Sequence, residues 1–295
     1  MNRTASVHCP GTSSVRRGTA RRRNGLILNV ALGVSACWAS FGIAADPTLT
    51  LPPADRQTIE DVLGVTVITQ ALPAPRLAEP TQFLNLSAVP RTYQVRGGDG
   101  ASETHLWVPI DSGPARSLWR YRAGDTETAL VEREADGSYG LTGVEDLREK
   151  ALTRYRPSEP LLLQGMRPGE QRNRRLDVAV YDPANPASLR HQGALDVAYR
   201  YLGAYRIKIP SGVYDTVLTK SEADGDIGLA HLHDLQYRFF AKGVGLVASV
   251  ESRDVTAAVV YHSELRLARV LAETTQHAEC SGLVVADNAA APSVC

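Results

Sequence analysis

The chain has 295 residues, of which 43% are hydrophobic and 6% aromatic, and 32 basic residues balance 32 acidic ones. A chain of this length can bury a core in one large β domain or in two smaller ones. Residues 1–45 contain six arginines and no acid, so 26 basic residues remain against 32 acidic ones in the rest of the chain. This acidic balance argues against a nucleic-acid partner, because phosphate binding requires a basic surface.

Residues 1–45 are predicted to be a signal peptide. Their arginine-rich beginning is followed by an apolar run from Gly25 to Ala44 that ends in small residues. This order of charged, apolar and small-residue regions is typical of secretory signals. We expect cleavage near Ala45, no integral membrane span after cleavage, and localisation in the periplasm or cell envelope. The segment 34–37 (VSAC) resembles a lipobox and leaves open an alternative, a lipid anchor on Cys37.

Residues 46–90 are predicted to contain an N-terminal helix and a linker. The segment from Pro52 to Leu63 begins with proline, carries early acids and places apolar residues at helical spacing. A short strand is predicted over Val65–Gln70. The three prolines at 73, 75 and 80 then indicate an irregular linker.

Residues 91–272 are predicted to form an antiparallel β domain, either as one unit or as two β blocks, 91–156 and 157–272. Short runs rich in Thr, Trp, Tyr and Val are separated by turn residues. Apolar and charged residues alternate from Leu195 to Ile209, which is typical of a strand with one wet and one dry face. The fold class is therefore mainly β. Residues 273–295 are predicted to be a C-terminal tail.

Two charged segments of this domain are harder to interpret. The segment 144–155 (VEDLREKALTRY) fits either a helix or an edge strand, and the sequence does not decide between them. The acidic segment 222–226 (EADGD) is predicted to be a solvated turn. Its alternate oxygen ligands could hold Ca²⁺ only loosely, because further ligands at loop spacing are missing.

The densest apolar run after the leader extends from Tyr237 to Val250. It predicts a buried strand, a tight turn at Gly243 and Gly245, and a second buried strand. The spacing of these glycines with Ala248 also matches a degenerate dinucleotide-binding fingerprint. That fingerprint requires a helix directly after the glycines, whereas the following residues favour a strand. The hairpin interpretation is therefore preferred.

Two stretches resemble an uncharacterised family of exported bacterial proteins. They are Ile207–Asp215 (IKIPSGVYD) and Tyr237–Val247 (YRFFAKGVGLV), which match the signature P-[AS]-G-x-[FY]-D followed by [FY]-A-K-G-V-G-L-V. The chain departs from the pattern at Tyr214, where phenylalanine is common, and at Ala248, where a basic residue is common. The resemblance implies a curved antiparallel sheet or open barrel, similar to lipoprotein-carrier proteins, with a short N-terminal helix in this chain. It implies no activity.

A curved sheet of this kind could bind a lipid-like or protein ligand on the apolar inner faces of its strands. The candidate ligand-binding residues are Tyr199, Tyr201, Tyr214, Phe239, Phe240 and Lys242. The sequence therefore favours a non-catalytic envelope protein that needs no cofactor and has a lipid or an envelope protein as its partner. A purely structural role in envelope assembly is an alternative.

A second alternative is an envelope hydrolase or metal-dependent enzyme. His231 and His233 lie two residues apart and would share one face of a strand, where two imidazoles could bind a metal such as Zn²⁺. The sequence offers no third ligand at matching spacing, so solvent-exposed histidines are the preferred interpretation. No catalytic residue is assigned.

The mature chain contains two cysteines, Cys280 and Cys295, both near its C-terminus. In an oxidising compartment, the simplest prediction is one disulfide that closes a loop of the tail.

Overall fold

The computed structural model describes residues 46–97, 101–112, 117–257 and 261–274. The predicted signal peptide, the lipid-anchor candidate Cys37 and the predicted Cys280–Cys295 disulfide lie outside these ranges. Within them, the chain forms the helices α1 (Pro53–Leu63) and α2 (Thr81–Leu84) and thirteen strands. The strands are β1 (Ile68–Leu72), β2 (Arg91–Arg96), β3 (Ser102–Ser112), β4 (Ser117–Ala123), β5 (Glu127–Arg133), β6 (Tyr139–Asp146), β7 (Ala151–Leu162), β8 (Gln171–Asp182), β9 (Asn185–Ile209), β10 (Gly212–Ile227), β11 (Ala230–Ala241), β12 (Gly245–Ala257) and β13 (Tyr261–Thr274).

Twelve of these strands form a closed antiparallel barrel. From β2 to β13, each strand pairs with the next one along the chain, and β13 then pairs with β2, for example Thr274 with Arg91. The prediction of a mainly β fold is confirmed, but the predicted open barrel is wrong in this respect. Closure removes the two free edges that an open sheet would expose. Both predicted β blocks contribute strands to this single sheet.

The long strand β9 has a second partner on one of its edges. Its first part pairs with β8 as far as Arg200, and β1 pairs with the following segment from Ala204 to Ile207. The irregular register near Gly203 falls between these two parts. The N-terminal segment is therefore attached to the barrel through backbone hydrogen bonds as well as through side chains.

Helix α1 packs against the outside of the barrel. Its residues Ile59 and Leu63 share a buried hydrophobic cluster with Tyr237 and Phe239 of β11. The buried carboxylate of Asp55 accepts a hydrogen bond of 2.7 Å from the Tyr237 hydroxyl. Because α1 covers this outer surface, the second half of β11 is buried on both faces, which explains its continuous apolar sequence.

The segment that contains α2 covers one end of the barrel. Phe83 and Leu84 of α2 belong to the hydrophobic cluster inside this end. The backbone N–H of Gly243, in the β11–β12 turn, donates a hydrogen bond of 2.7 Å to the Gln82 carbonyl. Leu77 exchanges backbone hydrogen bonds with the β7–β8 connection. We call this end the floor of the barrel.

Two local predictions are resolved or corrected by the strand pairing. The undecided segment 144–155 is neither a helix nor an edge strand; it contains the end of β6, the turn 147–150 and the start of β7. The predicted acidic turn 222–226 is wrong, because these residues pair with β9 and β11 inside β10. Gly225 allows the Ala194 carbonyl to approach closely, which suits a strand interior, and the turn itself lies at residues 228–229.

The hairpin predicted around Gly243 and Gly245 is confirmed, with β11 and β12 on its two sides. Both glycines have positive φ, 74° and 96°. A Cβ atom on Gly243 would meet no atom within 4 Å, whereas one on Gly245 would lie 2.7 Å from the Leu84 carbonyl oxygen. Gly245 therefore supports both the turn and the contact with α2.

This difference gives a paired stability prediction. Gly243→Ala should lower the free energy of unfolding by about 1–2 kcal/mol, because alanine is strained at positive φ. Gly245→Ala should cost about 1–3 kcal/mol more, because it also overpacks against Leu84. Urea unfolding of the two variants measures the difference, and equal losses would show that the contact with α2 contributes no stability.

Candidate functional site

The barrel contains a cavity of about 330 Å³. Alternate residues of β11 show how the cavity is layered, since strand side chains alternate between the two faces of a sheet. Leu232, Asp234, Gln236, Arg238 and Phe240 all line it, in this order along the strand. An apolar residue therefore lies at each end of the row, with a charged layer between them.

Apolar side chains form the two ends of the cavity. Towards the floor, the lining residues include Leu84, Trp107, Val131, Leu161, Phe240 and Leu246. Towards the opposite end, they include Leu176, Leu195, Val197, Ala223, Ile227 and Leu232. The first set overlaps the cluster beneath α2, and the second overlaps a smaller cluster formed by β8, β9 and β10.

The opposite end of the cavity reaches the protein surface, and we call it the mouth. Its lining includes Asp146 and the exposed Glu149 at the β6–β7 hairpin, together with Ile227 at the β10–β11 hairpin. Leu147 and Leu229, in the same two hairpin turns, are 52% and 90% exposed. The mouth therefore combines acidic lining residues with exposed apolar side chains beside them.

The charged layer contains five carboxylates and three guanidinium groups. These are Glu103, Glu127, Glu159, Asp234 and Glu251, with Arg238, Arg253 and Arg269. They come from six strands, β3, β5, β7, β11, β12 and β13. The layer therefore connects strands that lie far apart in the sheet.

Arg269 is the most highly connected member of this layer. Its Nε atom lies 3.0 Å from Glu103 Oε2, and its two terminal nitrogens lie 3.5 Å from Glu251 and 3.9 Å from Glu127. Burial opposes the charge of this guanidinium, but the three carboxylates outweigh it and raise its pKa. Arg269 therefore stays charged and compensates three acids at once.

His105 is held between two polar partners at the edge of the charged layer. Its Nε2 atom lies 3.2 Å from Glu103 Oε2, and its Nδ1 atom is within hydrogen-bonding distance of the Tyr121 hydroxyl. Burial lowers the pKa of His105, which favours a neutral ring that donates to Glu103. That hydrogen bond, with help from Arg269 and against the effect of burial, lowers the pKa of Glu103 to about 2.

Glu159 and Asp234 are less well compensated. The nearest guanidinium to Glu159 belongs to Arg238, at 4.0 Å. Burial raises the pKa of Glu159 to about 7, although Arg238 opposes this rise. Burial also raises the pKa of Asp234, and the charge of Glu251 adds to the effect. Both carboxylates therefore lack part of the solvation that they would have in water.

One oxygen of Asp234 has no hydrogen-bond donor. The residue is 8% exposed, and its Oδ2 atom accepts a hydrogen bond of 2.5 Å from Gln236. Its Oδ1 atom is buried without a hydrogen-bond partner, and Arg253 Nε lies 3.6 Å away. A buried carboxylate oxygen without a donor is costly, so its position at the cavity wall calls for a functional explanation.

Of the six residues predicted to bind a ligand, Phe240 lines the cavity. Tyr199 and Tyr201 are buried in the core, where their hydroxyls donate to the Leu161 and Pro75 carbonyls. Phe239 is buried on the opposite face of β11, in the cluster with α1. Tyr214 is half-buried near the start of β10 and donates to the Ser211 carbonyl, and Lys242 is exposed in the β11–β12 turn.

The predicted metal residues His231 and His233 lie on the outer face of β11, opposite the cavity. His231 Nδ1 is 3.0 Å from Asp226, and His233 Nδ1 is 3.4 Å from Asp224. The Asp226 hydrogen bond raises the pKa of His231. In the part of the chain that the structure describes, no group of three or more His, Cys, Asp or Glu side chains could hold a metal ion. The metal role of the two histidines stays a prediction.

Sequence reasoning missed the charged layer. Asp234, Gln236 and Arg238 are polar residues at period two, and this pattern alone suggests a strand face exposed to water. The available signal was the position of Arg238 within an apolar run that contains Tyr237, Phe239 and Phe240. A charged residue in such a run must have a buried partner, which here is Glu159.

No family model matches the chain, and no curated protein matches it. Similar solved structures include a protein from Bacteroides fragilis NCTC 9343 described as exported and as having a YmcC-like fold. It has 13% identity and a TM-score of 0.40, covering 64% of this chain and 96% of its own. A second is a lipoprotein from Parabacteroides distasonis, with 13% identity and a TM-score of 0.32, covering 65% and 97%.

A third similar structure is the hypothetical lipoprotein YmcC from Escherichia coli K12, with 12% identity and a TM-score of 0.34, covering 66% of this chain and 90% of that one. These descriptions agree with the predicted localisation in the periplasm or cell envelope. At TM-scores of this size, that prediction still rests on the leader sequence. The resemblance based on the two turn motifs likewise stays a prediction. None of the helices in the described ranges is both long and apolar enough to span a membrane.

The contacts of Arg269 predict a large loss of stability when it is replaced. Arg269→Met removes the cation that Glu103, Glu127 and Glu251 share, and the first and last of these are largely buried, so the free energy of unfolding should fall by about 3–5 kcal/mol. Arg266→Met is the matched control on the same strand, because the side chain of Arg266 is 70% exposed and pairs with Glu264 of its own strand. It should change stability by less than about 0.5 kcal/mol. Equal losses in urea unfolding would contradict the central role of Arg269.

Glu159 predicts a pH dependence of stability. Its pKa is about 7 in the folded chain and near 4.5 when unfolded. Between these values the folded state binds more protons, so its free energy of unfolding falls as pH rises. Across this pH window, the free energy of unfolding of the wild type should fall by on the order of 1–3 kcal/mol more than that of Glu159→Gln. Asp234 and Glu127 are present in both proteins, so the difference reports the titration of Glu159 together with its electrostatic interaction with Asp234. If the difference in the free energy of unfolding between the two proteins did not change with pH, the raised pKa of Glu159 would be contradicted.

Proposed function

We propose that the protein is a non-catalytic, exported binding protein that holds a small amphipathic molecule inside its barrel. The observation that carries this proposal is the layered cavity, with apolar walls at the floor and the mouth and charged groups between them. Ligand sites in proteins are typically concave and mostly apolar, with a few polar groups that orient the ligand. Export follows from the predicted signal peptide.

The volume of the cavity limits the ligand. A cavity of 150 Å³ binds benzene, so 330 Å³ offers room for roughly a dozen non-hydrogen atoms. This space is too small for a whole phospholipid. It suits a small amphipathic molecule or one short chain of a lipid-like molecule that enters through the mouth.

The outer surface of the sheet is a less suitable place for the ligand. Helix α1 already covers the apolar outer face around Tyr237 and Phe239. In the interior, Phe240 and Leu232 are separated by polar residues of the same strand. A ligand inside the barrel can therefore make both apolar and polar contacts without displacing any part of the fold.

The polar groups around the cavity support binding rather than catalysis. The hydroxyl that contacts His105 belongs to Tyr121, and burial raises the pKa of this phenol, so it stays protonated and is a poor nucleophile. The carboxylates Glu251 and Glu103 are ion-paired with arginines. Paired groups of this kind hold a fixed electrostatic environment in which a ligand can be oriented.

A cavity-filling variant tests this proposal with octan-1-ol as the probe. Ala223 lines the cavity, so Ala223→Leu should occupy the space and abolish binding. Ala198 is half-buried and lies on the opposite face of β9 from Val197, so Ala198→Leu is the matched control and should bind normally. Saturable binding of one octan-1-ol per chain is expected by native mass spectrometry and calorimetry.

Two results would contradict the proposal. One is the absence of saturable octan-1-ol binding to the wild type, and the other is binding that survives Ala223→Leu. Because a larger side chain can also disturb packing, melting temperatures of both variants are needed. Ala129→Leu, on the β5 wall of the cavity, provides a second filling variant.

A further inference from the structure

We infer that the cavity selects ligands with a cationic head group, such as an alkylammonium ion, which binds at Asp234. This inference rests on the proposed function and adds to it the chemical class of the ligand. It stands on three related features of the cavity: the oxygen of Asp234 that accepts no hydrogen bond, the excess of carboxylates in the lining, and the position of two of these carboxylates at the mouth.

The first feature is the position of Asp234 Oδ1. This atom is buried, it accepts no hydrogen bond, and the nearest guanidinium nitrogen is 3.6 Å away, while Asp234 as a residue lines the cavity. Oδ2 is already occupied by Gln236. An ammonium group has three N–H donors and no acceptor, so it can supply the missing hydrogen bond. A carboxylate or phosphate head group could not, since it offers only acceptors at neutral pH.

The second feature is the charge balance of the lining. Six carboxylates line the cavity, those of Glu127, Asp146, Glu149, Glu159, Asp234 and Glu251. Four arginines line it, Arg91, Arg238, Arg253 and Arg269. Arg269 is shared by three acids, Arg253 is shared by Glu251 and Asp234, and Arg238 pairs with Glu159. Asp234 therefore has no arginine of the charged layer to itself. A cationic ligand reduces this excess of negative charge, whereas an anionic ligand increases it.

The third feature is the mouth. Asp146 and Glu149 lie where the cavity reaches the surface, and Glu149 is exposed. Arg148 and Lys150 lie in the same exposed turn but do not line the cavity, so the lining charges at this opening are acidic and favour the entry of a cation. A cation that enters there next meets the charged layer at Asp234.

The surroundings of Asp234 also leave space for an apolar body. Its cross-strand neighbour in β10 is Ala223, a small residue that lines the cavity. Leu232, two residues earlier on β11, and Leu195 on β9 line the mouth side of the same region. An alkyl chain bound there would contact these apolar side chains while its head group contacts Asp234.

Three probes with the same alkyl chain and different head groups test the inference on the wild type. They are octylamine, which is cationic at neutral pH, octan-1-ol and octanoate. We expect calorimetry to give a dissociation constant for octylamine about tenfold or more below that for octan-1-ol, because an ammonium group forms an ion pair with the Asp234 carboxylate and a neutral hydroxyl does not. Octanoate should bind most weakly.

A charge-neutral variant tests the residue. Asp234→Asn keeps the shape of the side chain and should weaken octylamine binding about tenfold or more, with octan-1-ol binding changed less than about twofold. The matched control is Asp254→Asn, because Asp254 faces outward from the neighbouring strand and its side chain is 45% exposed. This control should bind all three probes as the wild type does.

The outcomes separate the two proposals. If octan-1-ol or octanoate binds as tightly as octylamine, or if Asp234→Asn leaves octylamine binding unchanged, the cation inference is overturned and the proposed binding function stands. If the wild type binds none of the three probes, the proposed function is overturned and the inference with it. Since the comparison of probes on the wild type needs no variant, the test does not depend on the folding of Asp234→Asn.

Discussion

The pairing of β13 with β2 is the constraint on which the other features of the molecule depend. Without it, the twelve consecutive strands would form an open sheet with two edges and no interior. With it, alternate residues of every strand face an enclosed space. Because barrel diameter grows with strand number, twelve strands enclose a wider interior than the eight that side chains can fill. A cavity between the two apolar ends is therefore a direct result of closure.

Closure also separates the charged groups of the interior from bulk water. In the charged layer, these groups pair with one another instead. Each buried ion is costly to desolvate, and the layer offsets this cost by sharing cations among several acids, as Arg269 does. An apolar filling of similar volume would serve stability at least as well. Charged groups are nevertheless present at this level of the barrel, and one oxygen of Asp234 accepts no hydrogen bond. These features agree better with the proposed recognition of a ligand than with a contribution to stability.

Features that depend on local sequence could be predicted, and those that depend on distant contacts could not. Helix α1, the β rhythm after residue 90 and the turn at Gly243 follow from proline, alternation and glycine within short windows. The sequence does not predict whether Phe239 or Phe240 faces the interior. Because α1 covers the outer face of β11, both faces are buried here and the strand shows no alternation of apolar and polar residues. The pairing of β2 with β13, and of Arg269 with Glu103, joins residues more than a hundred positions apart, and neither leaves a local pattern.

The closing pair has a consequence for biogenesis. Arg91 is the first residue of the first barrel strand and Thr274 is the last residue of the last one, so the ring cannot be completed until the chain has emerged as far as Thr274. Contacts so distant in sequence form slowly, and unpaired strand edges are prone to aggregate in the meantime. During export, the edges of β2 and of the newest strand stay open to other chains until synthesis and translocation have passed Thr274. A chain of this architecture therefore keeps unpaired strand edges for longer than a helical protein of the same length, whose contacts are mostly local.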